Sequence, residues 1–254
     1  MSHPIIALWS HPRSMSTAFE RIMRARGDLE CLHEPFMYDY YINRSKRVMP
    51  HFDAMDEHPR SYEAIRAMIL AKAEQGPLFF KDMSYYVMPH VLEDTQFLGR
   101  VTHSFLIRDP KASLTSYAKL DPEFTSEELG LEAQWQHYEG IVKLTGRKPV
   151  VIESESIQAN APAAMQSYWR GVGLSDKPEA LQWGEDMPAD WQQVSGWHQG
   201  VLSSTSVKPV TDAKRQEIED GFKKLIAASP RFEGIYLHHL PYYEKLRKSA
   251  AGHG

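Results

Sequence analysis

Five short apolar runs, at residues 5–9, 29–33, 78–82, 103–108 and 150–153, alternate with stretches that carry helix signals. Runs of this length suit buried strands, and a strand returning parallel to its predecessor needs a crossover, usually a helix. The alternation therefore predicts an α/β fold: right-handed crossover units feeding a central parallel sheet of about five strands flanked by helices. Helices are expected over residues 17–26, 62–75 closed by Gly76, 110–120, 126–145 closed by Gly146, and 163–172 closed by Gly173. Residues 37–60 mix aromatics, charges and proline without a period, which predicts an irregular lid over the ligand face. Beyond Gly173 the chain is rich in Trp, Gln, Ser and Gly to about residue 209, and then 211–228 and 234–248 read as a helical C-terminal part. No repeat or linker divides residues 1–254, and 42% hydrophobic content supplies a substantial core, so one domain is expected.

The first apolar run leads into SHPRSMSTAFER, Ser10 to Arg21. A strand, a turn with a cation and hydroxyls, and a helix start are the parts of a phosphate cradle. Arg13 offers a planar donor fork, Ser14, Ser16 and Thr17 offer short-range donors, and Thr17 and Glu20 have capping-box spacing. By itself the segment also fits an ordinary capped helix. The fourth run leads into a second such segment, IRDPKASLTSY, Ile107 to Tyr117. Here Asp109 is a natural N-cap, Pro110 suits the first helical position, and Arg108 stands at the carboxyl edge where open α/β sheets bind ligands. Ser113 and Ser116, three apart on one helix face, can join Arg108 around an anion; the alternative is an Arg108 ion pair with Asp109 or another carboxylate.

Charge and composition exclude several classes. A formal net charge of −4 argues against a general nucleic-acid binder, so no nucleic-acid partner is expected. The longest apolar runs are strand-sized and the N-terminus shows no export pattern, so a soluble, cytoplasmic protein without integral membrane association is expected. The lone Cys31 agrees with a reducing compartment, and the twelve histidines show no metal-ligand spacing, so no metal site is expected.

With these segments in place, the chain resembles the sulfotransferases that use 3′-phosphoadenosine 5′-phosphosulfate (PAPS), in the style of bacterial members. HPRSMST resembles their 5′-phosphosulfate loop, and IRDPKASLTSY their 3′-phosphate motif, in which an arginine and a serine eight residues later hold the phosphate, as Arg108 and Ser116 are spaced. The resemblance implies a P-loop-like α/β fold related to nucleotide kinases, PAPS as sulfuryl donor, adenosine 3′,5′-bisphosphate as product, and no metal. It implies that Arg13 steadies the bridging oxygen and that Ser14, Ser16 and Thr17 contact the 5′-phosphate and sulfonate. Met15 stands where many members have glycine.

The acceptor must lose a proton as it attacks sulfur, which requires a base. The third run ends Lys81, Asp82, Met83, without the histidine base of the familiar small-molecule members, whereas LHEPF places Glu34 where carbohydrate and glycolipid sulfotransferases carry a glutamate base. Glu34 is therefore the first candidate, with an N-cap or loop ion pair as its alternative, followed by Asp82 and then His33 or His11. Lys81 either touches the sulfonate or pairs with Asp82. VSGWHQG weakly resembles the loop that closes over the donor, which implies contacts from Gly196, Trp197 and His198; Trp197 either stacks on adenine or packs in the core. Phe36, Tyr38, Tyr40, Tyr41, Tyr85 and Tyr86 suggest an aromatic acceptor pocket for a small hydroxylated or glycolipid-type molecule, or a cation-binding cage, with ordinary core and lid packing as the alternative. Two rivals remain open: a nucleotide-dependent P-loop kinase-like enzyme, although the G-x-x-x-x-G-K-[ST] loop is missing, and a catalytically silent nucleotide-binding protein.

Overall fold

The computed structural model describes residues 3–184, 186–197 and 204–250. Among the described residues, β1 (Ile5–Ser10), β2 (Glu30–His33), β3 (Leu78–Met83), β4 (Val101–Ile107) and β5 (Val150–Glu153) form one sheet. Its order is β2-β3-β1-β4-β5 and every neighbouring pair is parallel. This is the α/β architecture that the alternation predicts.

β1 is central and buried along its whole length, which is why it reads as an unbroken apolar run. Successive side chains of a strand point to opposite faces. Ile5, Ala7 and Trp9 accordingly join one core with Leu78, Phe80 and Phe105, while Ile6 and Leu8 join another with Phe79 and with Phe19 and Ile22 of helix α1 (Ser16–Ala25). Register pairs Ser10 with Met83, Trp9 with Phe105, and His33 with Lys81, so the loops after β1, β2, β3 and β4 emerge on one edge.

Several local expectations are corrected. Thr17 and Glu20 form no capping box: α1 starts at Ser16, its N-cap Met15 has φ 71° and no side-chain cap bond, and Glu20 is turned fully inward. Arg13 also has positive φ, at 63°, so a turn often made by glycine is here forced on two side-chain-bearing residues, a strain that the surrounding contacts must hold. The helix expected over 126–145 is two, Ser126–Leu129 and Leu131–Thr145, broken at Gly130. Gly130 has φ 79°, and a Cβ there would stand 3.1 Å from the Tyr85 ring and 3.4 Å from His11 Cβ. Its missing side chain lets this helix pair approach the site loops.

Residues 37–60 are not irregular from their start. Asp39–Asn43 is a π-helical turn, and Met37, Tyr38 and Tyr40 are buried. The irregular part that follows is pinned: Arg47 pairs with Asp121 at 2.6 Å and Glu128 at 3.0 Å, and Trp197 Nε1 donates to Pro50 O at 2.8 Å. Helical turns Ser84–Val87, His90–Glu93, Thr95–Arg100 and Ser154–Ala159 have no counterpart in the sequence reading, because one or two turns are too short to show a period. The C-terminal helices run over Asp212–Ala228 and Arg231–Ala250.

Candidate active site

The two anion-type segments meet at the sheet edge. His11 is fully buried and its Nε2 accepts the Arg108 backbone N–H at 3.1 Å, tying the loop after β1 to the loop after β4. Arg108 Nη1 donates to Arg13 O at 2.8 Å, and Arg13 donates from Nε to Ser116 Oγ and from Nη1 to Trp197 O, both at 2.9 Å. Arg13, Arg108, Ser116 and Trp197 therefore form one mesh. Burial lowers both guanidinium pKa values, and the charge of Arg108 lowers that of Arg13 further. The Arg108–Asp109 ion pair left open by the sequence is not made: Asp109 Oδ1 accepts the Lys111 N–H at 2.8 Å and caps the helix Pro110–Tyr117.

Ser14 Oγ, Ser113 Oγ and Arg108 Nε are buried without a hydrogen-bond partner. Unpartnered donors in a doubly cationic pocket suit a phosphate-bearing ligand, which carries the acceptor oxygens they lack. This is the fit expected for the donor nucleotide. His11 ties the two loops together. Burial, then the charge of Arg108, depresses it from 6.5 to about 3, so it is a neutral acceptor holding two loops together.

Across the edge, the loop after β2 is set by Asp82. Its Oδ2 accepts the Phe36 N–H at 2.8 Å and its Oδ1 the Met83 N–H at 3.0 Å. Burial pushes the Asp82 carboxyl well up and the charge of Glu34 adds to this, against the pull of the two N–H bonds. Both oxygens are engaged, Oδ2 with the turn that presents Glu34 and Oδ1 with the end of β3 itself. Glu34 itself has φ 43° and donates its backbone N–H to Lys81 O at 2.9 Å. Its Oε1 accepts from Lys81 Nζ, and its Oε2 from the Tyr86 hydroxyl at 3.4 Å. Lys81 is therefore the partner of Glu34 and not of Asp82. Burial alone would raise the Glu34 carboxyl, but the Lys81 ammonium and its hydrogen bond bring it below the usual value.

A cavity of about 50 Å³, with room for about one water, joins the two halves. Arg13, Ser16 and Thr17 line it together with Glu34 and Tyr86. Of the aromatic group seen in the sequence, Tyr41, Tyr85 and Tyr86 line the cavity, whereas Phe36 packs on Tyr62 and Phe97, Tyr38 stacks on His58, and Tyr40 lies edge-on to Tyr85. Trp197 packs edge-on to Tyr117, 5.7 Å between centroids, and Gly196 lies against His51; His198 lies outside the described residues. The sequence reading missed Met49 and Tyr117 as cavity walls. For Tyr117 a signal existed, since it closes IRDPKASLTSY one residue after Ser116.

Comparison with known proteins bears on the family and the fold. The sulfotransferase domain family matches residues 4–230. The sulfotransferase domain of the Synechococcus PCC 7002 olefin synthase shares the fold with a TM-score of 0.54 at 16% identity, over 88% of this chain and 95% of that one. The sulfotransferase domain from the curacin biosynthetic pathway gives 0.50 at 14% identity, over 90% and 97%. Branched-chain-amino-acid aminotransferase-like proteins 2 and 1 of Arabidopsis thaliana are 24% and 25% identical over 79% and 81% of this chain. The chain spans only 36% and 37% of their lengths. With nearly its whole length matched by one family, the chain belongs to the sulfotransferase domain family of enzymes.

Proposed function

We propose that the chain transfers a sulfuryl group from PAPS to the hydroxyl, or amine, of a small acceptor. One observation carries the reading: Arg13, Ser16 and Thr17 line the same cavity as Glu34. PAPS supplies an activated sulfuryl group and leaves as adenosine 3′,5′-bisphosphate. Arg108 and Ser116 hold its 3′-phosphate, and Ser14, Ser16, Thr17 and the turn at Met15 hold its 5′-phosphosulfate, where the buried donors find their acceptors. Arg13 offsets the charge that develops on the departing phosphate oxygen. The acceptor oxygen gives its proton to Glu34 as the O–S bond forms and the bond from sulfur to the phosphate oxygen breaks. Because Lys81 occupies Oε1, Oε2 is the oxygen for that proton. Lys81 keeps the carboxylate ionised between turnovers.

The cavity walls favour an uncharged acceptor with an apolar or aromatic body, since Tyr41, Tyr85, Tyr86, Met49 and Met83 surround the base. Among the described residues, no helix is long and apolar enough to cross a membrane, and an acceptor that diffuses freely in the cytoplasm suits the reading. Transfer of label from PAPS to a panel of small phenols and alcohols tests it. Glu34→Gln should retain adenosine 3′,5′-bisphosphate binding and lower kcat by about 10²- to 10⁴-fold. A Glu34→Gln enzyme of unchanged kcat would pass the base role to another group. Binding of ATP with magnesium in preference to the bisphosphate would overturn the donor assignment.

A further inference from the structure

The proposed mechanism leaves one fully buried ionisable pair unused. Glu20, one turn into α1, places Oε2 2.7 Å from His33 Nδ1, and its Oε1 accepts Trp191 Nε1 and Arg24 Nε at 2.8 Å each. A carboxylate only accepts, so the proton in the contact with His33 sits on Nδ1. The other ring nitrogen, Nε2, lies 3.8 Å from Glu34 Oε1, and Lys81 Nζ stands 4.0 Å from Glu20 Oε2. The charged groups around this cluster are Lys81 from β3, Glu34 after β2, Arg21 and Arg24 from α1, and Asp190, which pairs with Arg24 at 2.6 Å and accepts the His33 N–H at 3.2 Å.

The tautomer matters for the base. A proton on Nε2 would point a third donor at the Glu34 carboxylate, beside the Lys81 ammonium and the Tyr86 hydroxyl, and make it a poorer proton acceptor. A proton on Nδ1 leaves that side of the ring without a donor. Burial, then the charge of Lys81, keeps the imidazole neutral by holding its pKa well below 6.5.

We infer that Glu20 is a positioning residue for sulfuryl transfer: by fixing the His33 tautomer it preserves the basicity of Glu34, and it does so from the same helix that carries the phosphate loop. The inference rests on Glu34 being the base, as proposed above. Two-bond ¹H–¹⁵N spectra of the full chain should show His33 neutral and protonated on Nδ1 near pH 7.5. Glu20→Gln presents an amide N–H₂ to that nitrogen, moves the proton to Nε2, and lowers kcat about 10-fold or more, with KM for PAPS within about twofold. Its acidic limb in kcat/KM moves to lower pH, because Glu34 loses a neighbouring negative charge and gains a donor. Glu20→Asp, which keeps the carboxylate, recovers part of the Nδ1 tautomer and part of kcat.

A wild-type His33 protonated on Nε2, or on both nitrogens, overturns the inference, and that spectrum needs no variant to fold. So does a Glu20→Gln enzyme with a wild-type pH profile, since loss of structural support alone moves amplitude and not the limb. The spectrum needs no turnover either. Unchanged kcat in Glu34→Gln together with an Nδ1 tautomer would thus fault the base, whereas lost kcat in Glu34→Gln together with an Nε2 tautomer would fault Glu20.

Discussion

Replacing Arg108 by alanine separates what the residue does for the fold from what it does for the ligand. In the folded chain the guanidinium makes one bond to a carbonyl, Nη1 to Arg13 O at 2.8 Å, while Nε is buried and unpartnered. Losing one such bond costs about 1 kcal/mol, and removing a buried cation beside Arg13 offsets part of it. Stability without ligand should therefore move by no more than about 1 kcal/mol. If, as proposed, the same side chain holds adenosine 3′,5′-bisphosphate through charge-assisted bonds worth about 1.5–3 kcal/mol, affinity should fall about 10- to 150-fold. Adenosine 5′-monophosphate, which lacks the 3′-phosphate, should bind both proteins about equally. Titration calorimetry with the two nucleotides on wild type and Arg108→Ala reads the difference directly. If the variant keeps the wild-type preference for the bisphosphate, Arg108 does not hold the 3′-phosphate and the two-clamp geometry is wrong.

Lys81→Met strands the buried Glu34 carboxylate, so it should destabilise the chain by about 3–5 kcal/mol near neutral pH, and the loss should shrink as acid neutralises Glu34; denaturant midpoints at several pH values check this. Gly130→Ala puts a side chain at φ 79° and 3.1 Å from the Tyr85 ring, and should cost about 1–2 kcal/mol in chemical denaturation. In the wild type, His11, His103 and His239 are lowered from 6.5 to about 3, 4 and 4, each first by burial. The unfolded chain then binds their protons first, so their contribution is fully present above about pH 6.5 and falls as pH drops toward 4, by about 1.4 kcal/mol per pH unit for each histidine. The depressed Glu34 carboxyl adds loss of the same sign below the ordinary glutamate range. Urea midpoints that stay level between pH 7 and 5 would refute the assignment of these histidines as buried and neutral.

The sheet was legible because its strands are apolar and the crossovers carry regular punctuation: β5 begins and ends where the sequence places it, and β3 differs by one residue. That Arg13, Arg108 and Ser116 meet at one sheet edge was legible, since both arginines follow apolar runs that end at the carboxyl edge of a parallel sheet. What the sequence concealed depends on long-range contacts. Thr17 and Glu20 have the spacing of a cap, but Glu20 finds Trp191 and His33 far away in the chain, and tertiary partners outweigh a local hydrogen bond. The break at Gly130 is set by Tyr85 and His11, neither of them near it in sequence. Lys81 could equally be matched with Asp82, its neighbour, until the turn after β2 brings Glu34 over it.

The strand order β2-β3-β1-β4-β5 also fixes a direction. The loop of β1 is flanked by the acidic turn after β2 on one side and by the second arginine, after β4, on the other. On the proposed function, nucleotide and acceptor would be handled by different strands, and the tyrosine-rich loops beyond β2 and β3 could be rebuilt for a new acceptor without altering Arg108 beyond β4.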